Sequence, residues 1–129
     1  MELKNKALFK ESCFVGGKWI DSDSGEKIKV DNPANNEIIG EVPKCSTSET
    51  TKAIKEAQDA FPNWRDKTAK ERSIILQKWA RLIEQNVDDL ARIMTLEQGK
   101  PLAEAKGEIL MGVTYIDFYA EEGKRVYGD

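Results

Sequence analysis

No histidine occurs anywhere in this chain. Its absence removes the commonest general base and the commonest zinc ligand, so Ser-His and Cys-His nucleophile pairs are excluded within these residues. Cysteine is scarce. Cys13 and Cys45 are the only two, they show no metal-site spacing, and no export signal precedes them. Two buried thiols are therefore expected rather than a disulfide scaffold. No apolar run approaches the roughly 18 residues of a membrane span, and "MELKNKALFKES" lacks the apolar centre of a signal peptide. The expected location is cytoplasmic, with no membrane partner. Charge of one sign is not concentrated either. The 20 basic and 23 acidic residues are mixed along the chain, giving a net charge of -3. Without a basic stripe to track phosphates, nucleic acid is not an expected partner.

What is present suits one soluble domain: 129 residues, 40% hydrophobic and 33% charged. No internal repeat or low-complexity tract divides them. The first third is strand-like. "CFVGGKWI" brackets Gly16-Gly17 with apolar pairs, and a two-residue glycine loop supplies the positive φ of a primed turn, so a hairpin is expected near residues 12–21. "KIKVDNP" and "EIIGEVP" read as two further short strands, stopped at Asn32-Pro33 and Pro43. A phosphate-loop reading of "VGGKW" fails, because that motif needs wider glycine spacing and a hydroxyl residue after the lysine.

The remainder reads as three or four helices. Ser46 with Glu49 and Thr68 with Glu71 each match a capping box. The spacing predicts that the first helix buries Ala53, Ile54, Ala57 and Phe61, that Pro62 ends it, and that Trp64 covers the end of the stripe. The second places Ile75, Trp79, Leu82 and Ile83 on one side, and Leu90, Ile93 and Met94 follow a polar interruption at "EQNVDD". That interruption is either a bend or a new start capped by Asn86. A last helix, from Pro101, repeats Leu102, Ile109, Val113, Ile116 and Ala120 at helical intervals. Between the two final helices Gly99 can adopt the left-handed conformation that closes one helix, and Pro101 suits the first turn of the next. "TLEQGKPLAEAKGEI" is therefore expected to form a tight corner. On chemistry alone Glu97, Gln98 and Lys100 are surface polar residues beside it.

"LEQGKPLAEAKGEI", with "DNPANNEIIGEVP" upstream and "FYAEEGKRVYGD" at the end, resembles the amino-terminal part of the aldehyde dehydrogenase superfamily over residues 9–129. "AKERSIILQKWARLI", "DDLARIMTLEQGKPLAEAKGEI" and "AEEGKRVYGD" are most similar to bacterial succinate-semialdehyde dehydrogenases, which use NAD or NADP. The resemblance implies an α/β parent fold in which residues 1–129 form the outer part of the cofactor-binding domain, a short hairpin and strand region followed by helices. It also implies catalysis by a cysteine thiolate, hydride transfer to the nicotinamide, and hydrolysis by a glutamate-activated water. The family's nucleophile, base and cofactor-binding glycines lie beyond the position matching Asp129. Cys13 and Cys45 do not match the nucleophile motif, so no catalytic or cofactor-binding residue is carried over, and the choice between NAD and NADP stays open.

Two lesser sites are carried over by position. Family members bind a structural monovalent cation with oxygens matching Val30, Asp31 and Glu97, plus a later group; the alternative is that Glu97 faces solvent or caps a neighbour. The substrate tunnel is lined at positions matching Gly107 and Met111; for Met111 the alternative is core packing. The implied partners are the remainder of a dehydrogenase polypeptide and further copies in a homo-oligomer. The isolated chain is expected to be a truncated form, inactive, without its own cofactor, and oligomeric or domain-swapped through faces meant for the missing sheet. A different reading of the same capped helices is a free-standing helical interaction module.

Overall fold

The computed structural model describes residues 2–128. A single 3-10 turn at Lys6–Leu8 precedes two antiparallel hairpins. Strands β1 (Cys13–Val15) and β2 (Lys18–Ile20) are joined by Gly16 and Gly17, with φ of 58° and 77°. Two successive positive φ values define the primed turn whose twist matches its strands. Phe14 pairs with Trp19 across the hairpin, ring centroids 5.2 Å apart. β3 (Lys27–Asp31) and β4 (Ile38–Pro43) form the second hairpin, with a register shift between Val30 and Asp31. Val30 opposes Gly40, but Asp31 opposes Ile38, so the ladder is irregular at this point.

Four helices follow: α1 (Thr47–Arg65), α2 (Ala69–Gln85), α3 (Val87–Gln98) and α4 (Leu102–Glu122). Both capping boxes form as the spacing predicts, on Ser46 with Glu49 and on Thr68 with Glu71. The polar interruption is a new helix start. Asn86 closes α2 and opens α3, while its side-chain amide donates back to the Leu82 carbonyl at 2.8 Å rather than capping forward.

Pro62 does not end α1. The helix runs three residues further, to Arg65. A proline removes one N–H and crowds the carbonyl four residues back, here that of the exposed Gln58, and the ladder resumes when Asp66 N–H donates to the Pro62 carbonyl at 3.0 Å. Pro101 lies one residue outside α4, extended, with its carbonyl accepting from Ala105 N–H at 3.0 Å. It is the residue before the first turn rather than part of it.

The core is built from small side chains. Ala80, Ala91 and Ala105 are fully buried, with Val113 and Ala120 nearly so. They lie where α4 crosses α2 and α3, and small residues allow the close approach of helix axes. Polar contacts edge the α2–α4 seam: Gln77 donates to Glu121 at 2.8 Å, and Arg81 pairs with Asp117. The apolar faces expected to be buried on α1 and α2 are open instead. Ile54, Phe61, Ile75, Trp79 and Leu82 are all exposed, while Trp64 and Ile83 are half-buried. Helical periodicity identifies an apolar face but not its cover: on α2 the buried positions are Ser73 and Ala80, while Ile75, Trp79 and Leu82 stay exposed. Among the described residues no helix is long and apolar enough to cross a membrane.

Candidate functional site

Beside the corner after α3, Glu97 meets Val30 of the second hairpin. Gly99 closes α3 in the left-handed region, φ 80°, and its N–H donates to the Thr95 carbonyl at 2.9 Å. A β-carbon on Gly99 would lie 3.0 Å from Pro33 Cγ, so the corner is pressed against the chain just beyond β3. Lys100 pairs with Glu108 on α4 and braces the far side.

Two residues before Gly99, Glu97 lines a cavity of about 210 Å³ together with Val30, Gly40, Phe9 and Ile93. Val30, Ile93 and Glu97 also border a wider open groove of about 800 Å³ walled by Trp79, Met94 and Ile109. Glu97 therefore stands between two hollows, exposed, beside the irregular end of β3. Asp31 is exposed and lines neither. The structure brings Val30 and Glu97 to a common wall and leaves Asp31 one residue beyond it. Among the described residues, no three His, Cys, Asp or Glu side chains cluster as a metal set.

Gly107 and Met111 lie elsewhere, one turn apart on the outer side of α4. Gly107 has open space around its missing β-carbon, and Met111 is 59% exposed. Core packing is thus not the role of Met111 in this chain. Leu110, Tyr115 and Phe118 continue the same exposed apolar surface toward the end of α4.

Two carboxylates organise the surroundings. Asp89, buried in the first turn of α3, accepts from the backbone N–H groups of Lys4 at 3.1 Å and Asn5 at 2.7 Å, which holds the amino-terminal segment over the helix. Its neighbour Asp88 takes Lys106 at 2.6 Å and Lys4 at 3.2 Å, and these cations, Lys106 first, hold its carboxyl below the usual range. Glu49 is buried at the start of α1. It accepts from the Ser46 hydroxyl, from Asp23 N–H at 2.7 Å, and from Ser46 N–H at 2.9 Å, and in that order these bonds hold its carboxyl well below the carboxylate range. The anchoring by Asp89 spans 84 residues from Asn5 and has no local sequence signal beyond paired acids opening a helix. Gly40 does carry a sequence signal, since glycine inside a strand marks a close approach, and a β-carbon there would sit 2.7 Å from Phe9 Cζ.

The two thiols are not buried. Cys45 is exposed and Cys13 half-buried, and their sulfurs lie 3.8 Å apart. Although Cys45 is exposed as a residue, desolvation around its sulfur, then the Cys13 thiol and the acids Glu49 and Asp23, push its pKa up. A thiol so placed is not an activated nucleophile. The site offers oxygen donors beside apolar walls, which is binding chemistry.

The chain matches the family model described as "Aldehyde dehydrogenase family" over residues 19–129. It is 55% identical to the glutarate-semialdehyde dehydrogenase of Pseudomonas putida, over the whole of this chain and 27% of that protein. It is 53% identical to the NADP(+) succinate-semialdehyde dehydrogenase of Escherichia coli, again over 100% of this chain and 27% of the relative. The crystal structure of succinate-semialdehyde dehydrogenase from Burkholderia pseudomallei superposes with a TM-score of 0.97 at 50% identity, covering 100% of this chain and 27% of that one. The chain thus spans about a quarter of the length of the curated relatives it matches.

Proposed function

Because the chain belongs to the aldehyde dehydrogenase family, we propose that it forms the amino-terminal part of an NAD(P)-dependent enzyme oxidising succinate semialdehyde or the related glutarate semialdehyde to the acid. The observation carrying this reading is the unbroken match of the whole chain, above 50% identity, to curated enzymes named for those two substrates. The two differ by one methylene, a distinction worth about 1–3 kcal/mol in an apolar pocket.

The chain alone is inactive on this reading. It lacks histidine, and its two thiols are paired with each other rather than with a base. Hydride acceptance is the chemistry that NAD or NADP supplies when bound, and no described residue is assigned to hold it. The role of this segment is to bind and to frame. Val30 and Glu97 are proposed to supply oxygens to a monovalent cation, with Asp31 contributing from the next position. The common wall of Val30 and Glu97 and the broken ladder at Val30–Asp31 support this, since hard cations take oxygen ligands and a disrupted ladder leaves backbone carbonyls available. Gly107 and Met111 are proposed to line the substrate tunnel, supported by their position on an exposed apolar face of α4. The open faces of α1, α2 and α4 are proposed to be covered by the rest of the polypeptide and by further copies in a cytoplasmic homo-oligomer. The free-standing interaction module has no counterpart among the relatives named above, each of which extends well beyond the matched region.

The test is an assay with succinate and glutarate semialdehydes and with both nicotinamide cofactors, run on the natural-length protein and on the 129-residue chain. Reduction of cofactor by the former alone is expected. Turnover by the isolated chain after removal of contaminating enzyme would overturn the inactivity, and a natural-length protein indifferent to both substrates would overturn the substrate class.

A further inference from the structure

We propose that Cys13 and Cys45 are a dithiol pair that a low-molecular-weight disulfide, such as oxidised glutathione, converts reversibly to an intrachain disulfide tying the first hairpin to the start of α1. Cys13 opens β1, and Cys45 immediately precedes Ser46, the residue that caps α1. They are 32 positions apart in sequence, yet their sulfurs lie within 3.8 Å. Closing that gap to the ~2.05 Å of a disulfide requires the sulfurs to approach by less than about 2 Å. Their backbones are also held. The β1–β2 ladder fixes Cys13 opposite Ile20. Glu49 fixes the other side by accepting from both Ser46 N–H and Asp23 N–H, which joins the residue after Cys45 to the loop after β2. Cys45 is exposed and Cys13 half-buried, so a small disulfide can reach them.

The exchange balances without any further reagent. One protein thiolate attacks a sulfur of oxidised glutathione, breaking its S–S bond, forming a mixed disulfide and releasing one glutathione thiolate, which takes up the proton lost from the protein. The second protein thiolate then attacks the sulfur bound to the protein, forming Cys13–Cys45 and expelling the second glutathione. Two protein thiols are oxidised and one glutathione disulfide is reduced to two thiols. A Cys45 thiol of raised pKa is a poor leaving group, so the bond once made resists reduction from that side.

The test incubates the natural-length protein with oxidised glutathione under native conditions, blocks remaining thiols with iodoacetamide, and digests with trypsin without reductant. The expected result is that residues 11–18 linked to residues 45–52 become the major Cys45-containing species in mass spectrometry and are lost on adding dithiothreitol. In Cys45→Ser, Cys13 is expected to stop at the glutathione mixed disulfide. Alkylated Cys13 and Cys45, separate glutathione adducts on both, linkage of either to a different cysteine, or linkage appearing only in urea would each overturn the proposal.

Discussion

Gly99 faces Pro33 across the junction between the helices and the second hairpin, so closely that one added methyl would stand 3.0 Å from the proline Cγ. The same glycine carries φ 80°, a conformation costly to any residue with a β-carbon. Both effects oppose side chains at this position. Gly99→Ala is expected to destabilise the chain by about 1–2 kcal/mol, read as a lower urea midpoint at unchanged slope.

Glu49 ties stability to pH. Its folded-state carboxyl is held below the range of an unfolded glutamate, so the unfolded chain takes up the proton first as pH falls. The contribution is complete above the unfolded value of about 4.3 and is lost as pH drops below it. Glu49→Gln is expected to flatten this acid limb, which urea melts between about pH 6 and pH 3 would detect as a weaker dependence of the midpoint on pH.

The small-residue core and the open apolar faces should respond oppositely to substitution. Ala105 has no free surface, and Ala105→Leu is expected to cost about 1–3 kcal/mol by overpacking the α3–α4 contact. Met111→Ala on the exposed side of α4 should change the stability of the isolated chain by no more than about 0.5 kcal/mol. In the longer semialdehyde dehydrogenase proposed above, the same change is expected to raise KM for the semialdehyde, and an unaltered KM would dismiss the proposed tunnel role of Met111.

Thr95 has a buried hydroxyl with no hydrogen-bond partner among the described residues. An unpaired buried hydroxyl costs free energy that an apolar group of the same shape avoids, so Thr95→Val is expected to be neutral or stabilising by up to about 1 kcal/mol in thermal unfolding.

Cation binding at Val30, Asp31 and Glu97 would stabilise the natural-length protein by mass action, about 1.4 kcal/mol at ten times the dissociation constant. Its melting temperature is expected to be higher in potassium chloride than in choline chloride at equal ionic strength. Glu97→Gln should abolish that difference, and equal melting temperatures for the unsubstituted protein would dismiss the site.

Sequence alone determined the features whose chemistry closes within a few residues. Gly16-Gly17 turns the first hairpin, Ser46 with Glu49 and Thr68 with Glu71 start α1 and α2, and Gly99 stops α3, because a hydroxyl, a carboxylate or a positive φ acts on backbone groups at most one turn away. The family resemblance was legible in the residues around that corner together with "DNPANNEIIGEVP" and "FYAEEGKRVYGD". Tertiary structure decided what depends on partners distant in the chain. On α2, Ser73 and Ala80 are buried while Trp79 and Leu82 stay exposed, since close helix contact favours the narrow side chains. Helix α1 continues through Pro62 to Arg65 along an exposed stretch, a course that the proline's missing N–H alone does not announce. Asp89 captures the amides of Lys4 and Asn5, and Cys13 meets Cys45, only because hairpin, terminus and helices converge in three dimensions, where no periodicity along the chain records the meeting.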